Sequence, residues 1–294
     1  MPPKEVQELR ALLAQRNKMI RLRTQAKNRM HAILHRHHIV PPPGDVFDPK
    51  RQGWMGLPLG PAERTILQSD LGVLAFAEAQ IACIGATLKC MAARDERASR
   101  LVHLPGINLI NFLTILAAIG AIDRFPDSKQ LVGYSGLGGR VHASGQTYRT
   151  GRITKAGRRD LRTAMVETAQ TASNTHPHWR AELARLEPRL GRIRAIVAIA
   201  RKLLVAVWHI LAKDAVDRFA EPEIVARKLM QYSYVLGKVN RPTGQSSAQF
   251  VRLQLESLGL GAELAEIPWG AKKPPLPLPP SKMGLEEERA PSHP

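Results

Sequence analysis

The chain has little cysteine, few aromatic rings, too few acids for its bases and no long uninterrupted apolar run, and each shortage excludes something. With only 2 cysteines in 294 residues, a disulfide scaffold is out; Cys83 and Cys90 stand seven apart in an apolar helical pattern, where packing in a reducing cytosol is the expected use. Aromatics make up 5% of the chain, which argues against a sheet module that stacks bases on rings. No stretch approaches the ~20 consecutive apolar residues of a bilayer span, and the charged, amphipathic N-terminus does not read as a signal peptide. Acids number 25 against 43 Lys and Arg, a formal charge of +18. That imbalance draws polyanions from a distance and makes binding strongly salt-dependent.

What is present is mostly helical pattern. Val6, Leu9, Leu13, Ile20, Met30 and Leu34 recur at helical spacing. Arg10, Arg16, Lys18, Arg21, Arg23, Lys27 and Arg29 leave that helix heavily basic, with Glu5 and Glu8 its only acids, so salt-bridge lacing does not explain the run. A solvated face and a nucleic-acid contact both fit. His31, His35, His37 and His38 share helical spacing, but no Cys, Asp or Glu nearby completes a metal site, and none is expected. Pro41–Gly44 ends the helix and residues 41–61 read as a loop. A second long helix is predicted from Ala62 to Leu101, with Leu67, Leu71, Leu74, Ile81 and Leu88 on one stripe. The two helices are expected to form an antiparallel coiled-coil hairpin or a dimer arm over residues 1–101.

From His103 onward the residues suit phosphate contact. Pro105-Gly106 turns the chain before a helix in the manner of a helix-hairpin-helix, although Asn108 stands where that motif has its second glycine; a plain helix start fits equally. Asp127 or Ser128 should cap the next short helix. Gly133, Gly136, Gly138, Gly139 and Gly145 then read as a glycine-rich loop presenting Ser144. By spacing alone, a Ser-Gly pair is a turn device far more often than a nucleophile. Arg140 lies in this loop, and Arg149, Arg152, Lys155, Arg158, Arg159 and Arg162 follow with Asp160 the one acid among them. Arginine forks grip phosphate bidentately, and a helix from about Arg158 to Ser173 brings its N-terminus to the same place. The helix from Ile193 to Leu211 is core by its spacing, and Trp208 in it is expected to pack. Residues 215–267 read as a helical extension, and the Pro-rich tail, 268–294, as disordered.

Leu104-Pro105-Gly106, Arg124-Phe125, Tyr134-Ser135-Gly136-Leu137, Ser144-Gly145, Gly151-Arg152-Ile153-Thr154-Lys155, Gly157 and Leu161-Arg162, in this order, resemble the C-terminal domain of the insertion-sequence transposases of the 116/110/902 family, which includes the Piv DNA invertases. The basic first helix and the segment Ala195–Asp214 resemble that family's long helix and closing helix. The resemblance implies a mainly α fold, with a helical hairpin followed by a compact transposase domain over 102–214. It implies Ser144 as the nucleophile of DNA strand exchange. Nucleic-acid contacts are expected at Arg140, Arg149, Arg152, Lys155, Arg158, Arg159, Arg162, Gly106 and Gly145.

The implied partners are DNA, a structured guide RNA and further copies of the chain, as a dimer or tetramer, in a prokaryotic cytoplasm at the nucleoid, with no membrane. In the family a RuvC-like domain carrying metal-binding acids precedes the long helix, and its Mg²⁺ works with the serine. No such acids precede this helix, so the expectation is an N-terminally shortened transposase that holds no metal or other cofactor itself and is inactive alone. Two rivals stand: a non-catalytic DNA- or RNA-binding remnant or regulator, and a helix-hairpin-helix repair nuclease, which would need acids of its own.

Overall fold

The computed structural model describes residues 2–40, 47, 57–144, 147–242, 244–270 and 273–282; the side chains of 141–143 and 147–150 lie outside this description. The expected proline turn at 41–44, and Gly145, also lie outside it. The fold is mainly α, with two small two-stranded sheets among the described residues. The chain divides into two compact units, residues 8–88 and residues 1–7 with 89–294.

The smaller unit is built on two long helices, α1 (Lys4–Arg36) and α2 (Pro61–Ala93), which runs on into the larger unit. They run antiparallel: Arg29 pairs with Asp70 at 2.6 Å, while Arg36, at the end of α1, and His37 just beyond it meet Glu63, earlier on α2. Ala26, Met30, Ile33, Leu34, Leu59, Leu67 and Leu74 form the apolar cluster between them. Each fully buried Met, Ile or Leu there contributes about 2 kcal/mol. Ile20 and Leu71 of the expected stripes are only half-buried, because the buried rows run through Met19 and Asp70 instead. The four histidines do not converge on a metal: among the described residues no three His, Cys, Asp or Glu side chains are placed to hold one.

The second helix ends at Ala93 rather than Leu101. Asp95 accepts hydrogen bonds from the Arg97 backbone N–H at 3.0 Å and from its guanidinium, a local side-chain arrangement that competes with helix continuation. A short helix, α3 (Arg97–Val102), restarts there.

In the larger unit α4 (Leu109–Ile119) packs against α6 (Arg159–Thr175), which with α5 (Ser128–Ser135) and α7 (Pro177–Leu190) surrounds α8 (Arg192–Lys213). Ile199, Ala200, Leu203, Leu204 and Val207 of α8 are completely buried, but Ile193, expected on the same stripe, is exposed in its first turn. Trp208 packs as expected and donates its indole N–H to the Phe125 carbonyl at 2.8 Å. α2 and α8 are long and apolar enough to cross a membrane by length and composition, which the absence of an uninterrupted apolar run in the sequence concealed. Half of the apolar window of α8 is buried, as suits a core helix.

The extension carries α9 (Pro222–Leu236) and α10 (Ser247–Ser257), the latter opened by a capping box of Ser246 and Gln249. β3 (Glu266–Ile267) pairs antiparallel with β4 (Leu276–Pro277), which lies within the described part of the Pro-rich tail, whereas residues 283–294 lie outside the described residues. The nearly buried Arg252 guanidinium donates to the carbonyls of Gly261, Leu264 and Pro279, collecting the chain on both sides of that pair. Composition alone does not reveal that one buried cation can hold a proline-rich strand.

Candidate functional site

The site is framed by a turn, a hairpin and a helix start. Leu104-Pro105-Gly106-Ile107 is a tight turn, closed by the Ile107 N–H on the Leu104 carbonyl at 3.3 Å, with Gly106 at φ +83°. Proline followed by a positive-φ glycine suits a type II turn. The turn lies so close to α6 that a Cβ on Gly106 would stand 2.1 Å from the Thr168 carbonyl oxygen. Asn108 then caps α4 by accepting from the Asn111 N–H at 2.9 Å. The glycine is therefore required for packing, and the first N–H groups of α4 are partly satisfied by the chain itself.

The expected glycine-rich loop is ordered as helix, turn and strand. Asp127 caps α5 through the Gln130 N–H at 2.8 Å, and Gly136 ends the helix in the left-handed region. The chain then enters β1 (Gly139–Ser144), which pairs antiparallel with β2 (Thr147–Ile153). Ser144 is the last paired residue of β1, opposite Thr147, and its side chain is exposed. Arg149 is held two pairs further in, opposite His142. The β-branched residues Val141, Thr147, Thr150 and Ile153 favour a strand; the surrounding glycines disguised it.

The base of the hairpin is fastened to the end of α5. Backbone N–H groups of Thr154, Lys155 and Arg158 donate to the carbonyls of Gly138, Gly136 and Tyr134 at 2.9, 3.1 and 2.9 Å. This approach needs the glycines: a Cβ on Gly157 would lie 2.3 Å from the Tyr134 oxygen, and one on Gly136 would lie 2.7 Å from the Arg162 guanidinium. Arg124 and Phe125 support the same corner, with the Arg124 guanidinium 4.9 Å from the Tyr134 ring centre and Phe125 buried.

The basic residues divide by what they already hold. Arg158 is engaged by Asp160 through two hydrogen bonds, at 3.0 and 2.5 Å. Arg162 donates to the Ser135 and Lys155 carbonyls at 3.0 and 3.2 Å and acts as a brace. Arg140 reaches the Thr154 carbonyl at 3.3 Å while remaining exposed. Arg152, Lys155 and Arg159 are exposed, and among the described residues none of the three has its side chain in an ion pair. Ser135, the other serine of this segment, is fully buried, donating to the Val132 carbonyl at 2.7 Å and accepting from the Leu137 N–H. Its hydroxyl is unavailable to a ligand.

Sequence reasoning missed a polar cluster deeper in the domain. His103, which is 2% exposed, accepts the Asp217 backbone N–H at 3.0 Å through Nε2. Burial, with Lys228 adding to it, pulls its pKa from 6.5 down to about 4, so the ring is neutral. Burial also pushes the Asp217 carboxyl upward. Nothing in local spacing joins residues more than a hundred apart in the chain.

Residues 98–184, which include the turn, the hairpin and the start of α6, match the sequence model of the Transposase IS116/IS110/IS902 family. The chain is similar to the transposase for insertion sequence element IS1111A of Coxiella burnetii, 26% identical over 73% of this chain and 61% of that protein. It is similar to the putative transposase y4qE of Sinorhizobium fredii, 31% identical over 48% of this chain and 36% of that protein. The pilin gene-inverting protein of Moraxella bovis is 30% identical over 43% of this chain and 40% of its own length. The chain thus spans less than two thirds of each of these relatives.

Proposed function

We propose, from a chain that carries the IS116/IS110/IS902 transposase domain at residues 98–184, that this domain grips DNA phosphates and presents Ser144 to a scissile phosphodiester in insertion-sequence recombination. One observation carries the reading: Ser144, the serine of the family's Ser-Gly position, is the exposed last paired residue of β1, at the far end of a hairpin whose base is locked and carries cations in no ion pair among the described residues. A hydroxyl at a strand end is presented outward, and the locked base fixes where it points.

In the proposed step the Ser144 oxygen bonds to phosphorus and the bond from phosphorus to one bridging oxygen of the strand breaks. The hydroxyl proton passes to a base and the departing oxygen is protonated, leaving a serine phosphodiester that a second strand can attack. Arg140, Arg152, Lys155 and Arg159, toward the base of the hairpin, would hold neighbouring phosphates of the strand, and Arg149, two pairs from Ser144, is the member of the set nearest the serine in register. Arg158, Arg162 and Gly106 serve this surface by shaping it, since their groups are engaged or packed. Gly145 would allow the strand to approach beside the serine.

Serine is a weak nucleophile unaided. The family's Mg²⁺ does not fit the described residues, among which no cluster of acids and histidines is placed to hold it, so no step here is routed through a metal. A guide RNA would share the basic surface, and the helical hairpin would join copies of the chain as a coiled coil.

The test has two parts. The chain alone should bind DNA with an affinity that falls steeply with salt. Fused to a family-type RuvC-like domain and supplied with matching RNA and DNA, it should form a covalent protein–DNA adduct that Ser144→Ala abolishes while binding persists. An adduct that survives the substitution, or maps to Thr147, overturns the serine assignment. Binding with no adduct under any condition assigns the domain to the non-catalytic, nucleic-acid-binding reading.

A further inference from the structure

A cavity of about 370 Å³ lies between the Leu104–Ile107 turn, the end of α6 and one face of α9, and the chemistry at Ser144 leaves it unused. Much of its wall is apolar, with Val102, Ile107 and Val235 among the lining residues. Lys228 and Arg227 also line it, and no carboxylate does. The Lys228 ammonium donates to the Leu104 carbonyl, and Arg227 donates its Nε–H to the Pro268 carbonyl at 3.0 Å. Both cations are thereby positioned by neutral oxygens, not by a counter-charge. Lys228 is half-buried, and burial pulls its pKa well below the ordinary lysine value, so a bound anion would draw it back up.

A cation set into an apolar wall without an opposite charge is costly, and a bound anion offsets that cost. The guanidinium fork of Arg227 suits the paired oxygens of a phosphate, and the amides of Asn108 and Gln231 and the Thr171 hydroxyl supply further donors in the same cavity. Its volume is at the lower end of small-ligand sites, too small for a base-paired strand. We propose that this cavity binds the phosphate of a single unpaired nucleotide, held by Arg227 and Lys228, with the sugar and base against the apolar wall. The phosphate belongs either to a free nucleotide or to the end of a strand. The proposal goes beyond the strand-breaking reading and does not depend on it.

The experiment titrates the full chain with thymidine 5′-monophosphate, thymidine, inorganic phosphate and a 5′-phosphorylated oligothymidylate, following the backbone amides of Gly106, Asn108 and Thr171 by NMR. The monophosphate should shift these amides saturably, and thymidine should bind at least about tenfold more weakly. Arg227→Gln and Lys228→Met should each weaken the monophosphate about tenfold. Because Lys228→Met also removes a hydrogen bond to the turn, Arg227→Gln, with an unchanged melting temperature, is the decisive variant. Competition by the oligonucleotide would assign the site to a strand end, and binding of the monophosphate alone would assign it to a free nucleotide. Thymidine or inorganic phosphate binding as tightly as the monophosphate, or full affinity in Arg227→Gln, overturns the proposal. Salt-dependent DNA binding through the hairpin cations would persist in that event, so the two readings fail separately.

Discussion

The Arg162 guanidinium donates to the Ser135 carbonyl oxygen at 3.0 Å across 27 residues of chain. A residue that sequence assigns to phosphate is thus bound to backbone, where it ties the first turn of α6 to the end of α5. The same guanidinium reaches Lys155 at the foot of the hairpin.

Arg162→Ala should lower stability by about 1.5–3 kcal/mol, the range for hydrogen bonds that involve a charged group. Thermal unfolding measures it, and weaker protection of the β-hairpin amides in hydrogen exchange would accompany it. Equal stability of the variant and the wild type would mean that the brace carries no energy and would return Arg162 to the phosphate-binding set.

The exposed cations should behave in the opposite way. Arg140→Ala, Arg152→Ala and Arg159→Ala should each change stability by no more than about 0.5 kcal/mol. Together they should reduce the slope of log affinity for DNA against log salt by roughly one unit for each phosphate that is no longer neutralised. A slope identical to that of the wild type would mark these side chains as a solvated face.

Three glycines separate close packing from ligand approach. Gly106→Ala and Gly157→Ala each place a methyl group against a carbonyl oxygen, at 2.1 and 2.3 Å, from a positive φ. Each should cost about 2–4 kcal/mol, from strain and from backbone displacement. Gly139→Ala, whose Cβ would first meet an atom at 3.7 Å, should cost under about 1 kcal/mol. Chemical denaturation compares them directly, and equal midpoints for all three would contradict the packing described.

His103 makes stability pH-dependent. Its folded pKa of about 4 lies below the ordinary 6.5, so the unfolded chain binds the proton first as pH falls. The contribution is fully present above about pH 6.5 and is lost progressively down to about pH 4, amounting to about 3 kcal/mol at most. The melting temperature should therefore decline across that interval, and His103→Gln should flatten the decline. An unaltered pH profile in the variant would assign the acid sensitivity to other groups.

Helices were legible where apolar spacing repeats over several turns, as along α1, α2 and α8, because an amphipathic helix records its buried face in the chain. The cap of α5, expected at Asp127 or Ser128 and found at Asp127, was legible for a similar reason: capping is a bond between residues three apart. The hairpin at 139–153 was hidden because its glycines suit a loop as well as a bulged strand, and pairing across the turn decided between them. Ser144 was singled out by motif, but its exposure and the burial of Ser135 required the fold.

By itself the sequence determined the helical class, the surplus of positive charge, and the ordered motifs shared with a transposase family, because composition and local spacing are properties of the chain. Tertiary structure alone decided which arginines are braces and which face solvent, since a guanidinium's partner, such as the Ser135 carbonyl for Arg162, can lie anywhere along the chain. It also decided that Lys228, over a hundred residues from Leu104, enters a cavity beside the Pro105-Gly106 turn. Such long-range placements depend on how helices pack, and packing is settled by the whole core at once.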